Sequence, residues 1–187
     1  RSRGLGDVYK RQVLITPHRY TPQYDQSEKT GIYCVQFVYF RNNQQGRKVL
    51  TWWRKACLEW CYNRFEDGRF GDQTYLDDWP ERFEGVHVLQ HLGGGVAPWN
   101  MQQYRFEQQG KEIIGIELET EKQFPLVFYH FHSLVFVTPF YFSPRPYYKR
   151  NDSTIILLFN PYVKEIVKLR KQYALGKMEH YLSGWKF

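Results

Sequence analysis

Asp72 and Gln73 stand side by side in the stretch GRFGDQTYLDDW, between two glycine-bearing turns and an aromatic, acidic run. A carboxylate and a carboxamide on neighbouring residues offer the mixed acceptors and donors that vicinal hydroxyls need. The carboxylate can also act as a base or stabilise developing charge. The plainer use of the pair is a helix cap, since Asp is a favoured N-cap residue. Asp77 and Asp78, one turn further on, read as a solvated face. A second group lies in HLGGGVAPWN, from His91 to Asn100. There Gly94 and Gly95 allow a backbone to approach a phosphate or another substrate closely, and Trp99 and Asn100 follow in a rigid Pro-Trp-Asn turn. An ordinary flexible loop is the alternative. A third group is YHFHSL. On a strand, His130 and His132 would project to one side and Phe131 to the other. Two imidazoles on one face make a metal geometry, or a pair of satisfied structural histidines.

The chain around these groups has 187 residues, enough for one domain with its own core. Its 15 Tyr, 14 Phe and 6 Trp supply flat surfaces for packing and for stacking on sugar rings or bases. The formal charge of +7 is unevenly distributed. The basic excess lies in residues 1–12 and in 145–177, and the centre is slightly acidic, which argues against a nucleic-acid groove. There is no apolar run of roughly eighteen residues to cross a membrane, and no signal peptide at the start. Cys34, Cys57 and Cys61 are an odd and sparse set that fits a reducing compartment. Cys57 and Cys61, one helical turn apart, read as small buried hydrophobes.

The polar groups need elements to position them. VLIT (Val13–Thr16) and Ile32–Phe40 read as strands. Val49, Trp53, Ala56 or Cys57, Trp60 and Cys61 recur at helical spacing and predict a helix over Arg47–Phe65, ended by Gly68 and Gly71. Asp72 is expected to cap a short helix that Pro80 stops. Val86–Gln90 reads as a strand, 103–107 and 113–118 as a hairpin around Gly110, and Leu126–Val137 as a long apolar strand. A Pro- and Tyr-rich connector then leads to a helix after Asn160. Pro161 is its first residue, Ile166, Leu169 and Tyr173 form one face, and Lys168, Arg170 and Lys171 are exposed. Irregular mixing of strands and helices indicates an α/β fold.

FGDQTYLDDW, VHVLQHLGGGVAPWN and LVFYHFHSL, in that order, resemble the later half of bacterial nucleotide-diphospho-sugar glycosyltransferases of the GT-A fold. The resemblance covers roughly residues 13–134. It implies a partial GT-A-like domain, a mixed sheet flanked by helices with the N-terminal nucleotide-binding half missing. It implies transfer of a sugar from a nucleotide-diphosphate donor to a hydroxyl acceptor in glycan synthesis. Asp72 and Gln73 match the family's Asp-Gln pair at the sugar. Trp99, Asn100, Gly94 and Gly95 fall at the substrate side. His130 matches the histidine that ligates a divalent metal, Mn²⁺ or Mg²⁺, in glycogenin-like relatives, with His91 and His132 as alternatives. His91 has the His-to-Pro-Trp spacing of the glycogenin-type signature, but Ala97 stands where that signature carries a phosphate-contacting Lys. His91 follows Asp72 by only 19 residues and His130 by 58, which favours His130.

No Asp-x-Asp sequence occurs in the chain, although the family holds its metal with one. That motif is expected upstream, in a longer protein of which this chain is the C-terminal part, so the chain alone is expected to be inactive. On this reading residues 1–12 are a non-native tail, 13–143 the transferase part, and 144–187 a connector with a basic helix. The expected setting is cytoplasmic, with possible peripheral contact at the inner membrane face. The alternative function is a non-catalytic carbohydrate-binding protein.

Overall fold

The computed structural model describes residues 11–132, 134–138, 141–144, 147–150 and 152–173. The first ten residues and everything after Tyr173 lie outside them, and with them most of the expected tail and the end of the basic region. The fold is mixed α/β, built from several small sheets and helices. Among the described residues no helix is long and apolar enough to cross a membrane.

Strand β1 (Val13–Pro17) is the centre of a three-stranded sheet. It runs antiparallel to β2 (Tyr33–Phe40) and parallel to β5 (Val86–Val88). Gln12, the last residue of the expected tail, adjoins this sheet. Its N–H donates to the Gly85 carbonyl at 2.8 Å, and its own carbonyl accepts from Arg41.

Helix α1 (Gln44–Glu59) follows β2. The Asn43 side chain caps it by accepting from the Gly46 N–H at 2.9 Å, a signal upstream of the expected start at Arg47. The helix ends where Trp60 turns extended, short of the expected Phe65. Its inner face packs Val49, Trp52 and Trp53 onto Val13, Ile15, Leu76 and Trp79. Cys57 is half-buried and Cys61 exposed, so the latter is not the buried residue that helical spacing implied.

A small hairpin follows, β3 (Phe65–Glu66) with β4 (Arg69–Phe70). Asp67 and Gly68, both at positive φ, make its two-residue turn. Asp72 does not cap a helix. The next helical turn, Thr74–Leu76, begins after Gln73 and has no side-chain cap, and Pro80 lies inside a further turn, Trp79–Arg82.

A second hydrophobic cluster gathers Cys34, Val96, Trp99, Met101, Tyr104, Phe106, Phe124, Tyr129 and Phe159. Strands β6 (Gly94–Val96), β7 (Tyr104–Gln109), β8 (Glu112–Glu117), β9 (Gln123–Pro125) and β10 (Phe128–Tyr129) surround it. The hairpin β7–β8 is antiparallel and extends through β9. The long apolar run expected from Leu126 is divided. It supplies β10, parallel to β6, then a turn, then β11 (Leu134–Thr138), which pairs with β12 (Tyr141–Pro144). Helical structure starts at Asp152, passes through a π-helical segment Ile155–Phe159, and continues as α2 (Asn160–Gln172). On α2, Lys168 and Lys171 are exposed as expected and Ile166 is half-buried, but three residues depart from the pattern. Leu169 and Tyr173 are exposed, and Arg170 is buried.

Candidate functional site

Asp72 and Gln73 occupy the turn between β4 and the Thr74–Leu76 helical turn. Two interactions fix it. The Trp53 indole N–H, reaching across from α1, donates to the Asp72 carbonyl at 2.9 Å. The Phe70 N–H donates to the Thr74 hydroxyl at 3.0 Å. Asp77 is no solvated side chain. Its Oδ1 accepts from the Ile32 and Tyr33 N–H groups at 2.9 and 3.4 Å, pinning the start of β2, and burial raises its pKa. Asp78 does face solvent and pairs with Arg82.

The Ala97–Asn100 turn is held from inside. Asn100 is 1% exposed. Its Oδ1 accepts from the Ala97 N–H at 2.9 Å, and its Nδ2 donates to the His18 and Gly95 carbonyls at 2.8 and 2.9 Å. Asn100 is thus a structural lock behind the turn. Gly94 and Gly95 are buried in β6. Gly95 has φ +138°, and a Cβ there would lie 3.1 Å from the Gln36 amide nitrogen.

His130 and His132 remain neighbours although their strand ends at Tyr129. A tight turn replaces it, the His132 N–H donating to the His130 carbonyl at 2.8 Å, and the two rings lie 5.9 Å apart. The His130 N–H donates to the Val96 carbonyl at 2.8 Å, which ties this turn to β6. His91 is elsewhere. Its Nδ1 accepts from the Gly93 N–H at 3.1 Å and closes the glycine turn.

Gln73, Trp99, His130 and His132 line a single cavity of about 580 Å³. Asp72, Asn100, Gly94, Gly95 and His91 are not among its lining residues. Asp72 nevertheless acts electrostatically on Cys34 in the cavity wall. Three imidazoles surround the Trp99 indole: His18 at 5.3 Å, His130 at 5.4 Å and His132 at 5.5 Å between ring centroids. Tyr20, which stacks on His18 at 4.6 Å, and Phe70 and Tyr148 complete an aromatic wall.

Among the described residues that line the cavity there is no Asp, Glu, Lys or Arg. Burial lowers the pKa of His18 to about 4, and burial together with the nearby His132 lowers that of His130 to about 4. Both rings are therefore neutral at neutral pH. Burial also pushes the Cys34 thiol up to about 11 and the Tyr20 phenol up to about 12. The cavity is uncharged at these positions, aromatic on its faces, and set with amides at Gln26, Gln36, Asn63 and Gln73. Such a lining suits a ring with hydroxyl groups.

Sequence reasoning missed His18 and Tyr20, which lie in a segment, PHRYTPQY, that reads as a polar loop. It missed Gln36 too, an ordinary polar position on a strand. No local signal marks these residues, because their partners are distant: the Trp99 indole on the His18 carbonyl, 81 residues further along the chain, and the Gly95 carbonyl on the Gln36 amide, 59 residues further.

Among the described residues, no group of three or more His, Cys, Asp or Glu is arranged to hold a metal ion. His130 and His132 could supply only nitrogen ligands to Mn²⁺ or Mg²⁺, which take mostly oxygen ligands.

Fold and cavity together define an α/β chain with an uncharged, aromatic-walled, amide-bearing pocket. The chain is similar to the Bacillus subtilis (strain 168) protein YfnD, 33% identical over 155 residues, which is 81% of this chain and 48% of that protein. It is also similar to YfnF of the same organism, 34% identical over 125 residues, 66% of this chain and 40% of that protein. Both relatives are uncharacterized proteins, so the likeness assigns no activity. The chain spans about half the length of YfnD and less of YfnF. No family model matches it, and no solved structure matches it.

Proposed function

We propose that this chain supplies the sugar-binding part of a GT-A-like glycosyltransferase that moves a sugar from a nucleotide-diphosphate donor to a hydroxyl acceptor. The observation that supports the reading is convergence: Gln73, Trp99 and His130, distant in sequence, line one cavity suited to a hydroxylated ring. In this proposal Gln73 orients the sugar through its amide, and Trp99 and Tyr20 offer their faces to it. Asp72, beside Gln73, stabilises positive charge or accepts a proton as the transfer proceeds. His130 is the side chain here that would join a divalent metal, whose oxygen ligands would come from outside the described residues. A cytoplasmic setting, peripheral to the membrane, belongs to the same proposal.

The test is saturation-transfer NMR on the chain with UDP-glucose, UDP-galactose, UDP-N-acetylglucosamine, GDP-mannose and dTDP-rhamnose, with Mn²⁺ and with EDTA. The reading expects saturation of the sugar protons of at least one donor and its loss in Trp99→Ala. No sugar signal with any of the five overturns it.

The second reading, a carbohydrate-binding protein without catalysis, is favoured by the neutral, aromatic lining of the cavity. It expects free monosaccharide to bind as well as any nucleotide sugar, with no effect of EDTA.

A further inference from the structure

The outer face of α1 gathers positive charge. Summed along the sequence, the centre of the chain is slightly acidic, yet this helix carries Arg47, Lys48, Arg54 and Lys55 against the single acid Glu59. All four cations are exposed. None of them forms an ion pair among the described residues, and Arg47 donates to the Asn42 amide oxygen at 2.8 Å. Arg47, Thr51, Arg54 and Leu58 follow at i, i+4, i+7 and i+11, which sets them in one stripe, with Lys48 and Lys55 beside it. Val49 and Trp53 point the other way, into the core. Leu50 and Leu58, on the outer side, are 44% and 71% exposed. Arg47, Lys48, Thr51, Trp52 and Lys55 enclose an open depression of about 380 Å³. A phosphate group set there would meet three cations and a hydroxyl, with no carboxylate among the lining residues.

A polynucleotide and an anionic bilayer both present phosphates in rows. A nucleic acid also takes flat rings to stack its bases on. Trp52 is the aromatic residue at this depression, and its face is already covered by the Arg82 guanidinium at 4.7 Å, which pairs in turn with Asp78. A bilayer takes cations with apolar side chains set among them, which Leu50 and Leu58 supply. We propose that the outer face of α1 docks on an anionic lipid surface, with Arg47, Lys48 and Lys55 receiving headgroup phosphates and Leu50 and Leu58 entering the interface beside Arg54. The proposal rests on the peripheral setting in the reading above and gives that setting a surface. It places the contact on α1 rather than on the basic region near the end of the chain. On α2, Lys168 pairs with Glu165 at 3.0 Å and Arg170 is buried, which takes two of that helix's cations out of such a contact.

The experiment is co-sedimentation of the chain with phosphatidylcholine vesicles, with and without phosphatidylglycerol, at low and at physiological salt. The chain binds the anionic vesicles and not the neutral ones, and binding falls as salt rises. Lys48→Gln and Lys55→Gln each weaken it about fivefold, the worth of one cation beside an anionic surface, and the double variant about twentyfold or more. Lys164→Gln combined with Lys168→Gln, on α2, changes it less than about twofold. These positions are exposed and Gln is a good helix former, so the variants keep the fold. No binding, or equal binding to neutral vesicles, overturns the surface and the peripheral setting together, while the sugar reading keeps its own test by NMR. Undiminished binding by the α1 double variant, or an equal loss in the α2 pair, overturns the assignment to α1 and leaves the peripheral setting in place. A DNA duplex that displaces the vesicles at physiological salt makes the face a nucleic-acid site and overturns the lipid assignment.

Discussion

Trp99 and His18 are joined twice. The indole N–H donates to the His18 carbonyl at 3.1 Å, and the two rings meet edge to face at 5.3 Å. One contact fixes the backbone of the segment after β1, and the other fixes the side chain that this segment presents to the cavity. Trp99→Phe keeps an aromatic ring but removes the donor. The expected outcome is a loss of about 1 kcal/mol of stability, measured by urea unfolding, with a larger proportional loss of sugar binding. Equal binding by the variant would show that the indole does not organise the site.

Asn100 carries more of the fold than of the site. Replacing it with Ala strips hydrogen bonds from the Ala97 N–H and the Gly95 carbonyl, and leaves the His18 carbonyl with the Trp99 indole alone. All of these groups are buried. Asn100→Ala is expected to cost about 2–4 kcal/mol, read from the denaturation midpoint. A change below about 0.5 kcal/mol would mean that the turn is held by its backbone alone.

Gly95→Ala tests the close approach of β6 to Gln36. Its φ of +138° disfavours any Cβ, and the new methyl would press on the Gln36 amide at 3.1 Å. The variant is expected to lose about 1–3 kcal/mol in thermal or chemical unfolding and to bind sugar less well, because Gln36 must move. Unchanged stability would show that β6 adjusts freely.

Acidification should weaken the fold. His18 and His130 have folded pKa values of about 4 against 6.5 for the free side chain, so the unfolded chain takes up protons that the folded chain refuses. Stability is therefore full above pH 6.5 and falls as pH drops from there towards 4, with His87 adding in the same direction. For His18 the slope approaches about 1.4 kcal/mol per pH unit, and for the less buried His130 it is smaller. Urea midpoints at pH 7 and pH 5 measure this, and His18→Phe should flatten the difference. A pH-independent midpoint would contradict burial of these rings.

What was legible in the sequence was local. The α1 stripe of Val49 and Trp53 and the β7–β8 hairpin around Gly110 show their period or turn within about a dozen residues; the hairpin stands where the pattern put it, and the helix is there but ends at Glu59 rather than Phe65. What was hidden depends on distant partners. β6 is mostly glycine, without a side-chain pattern to read, and becomes a strand through parallel pairing with β10 some thirty residues later. Asp77 is exposed by the logic of its own turn and is half-buried only because the start of β2 lies on it. Arg170 was assigned outward with its neighbouring lysines, yet it is buried while Leu169 is exposed. Of the candidate site, Gln73, Trp99, His130 and His132 were visible as unusual residues in order. His18 and Gln36 were not, because nothing in PHRYTPQY or in a Gln on a strand announces burial.

The cavity lies where the two hydrophobic clusters meet: Trp99, Tyr148 and Cys34 belong to one, and Gln73 adjoins the Tyr75–Leu76 edge of the other. A molecule seated there would act as a rivet between two halves that otherwise share only their seam. Occupancy should then be felt far from the pocket, as slowed amide hydrogen exchange in both β1 and β7 at once. A ligand that stiffened only one of them would be resting on a single plate of the joint.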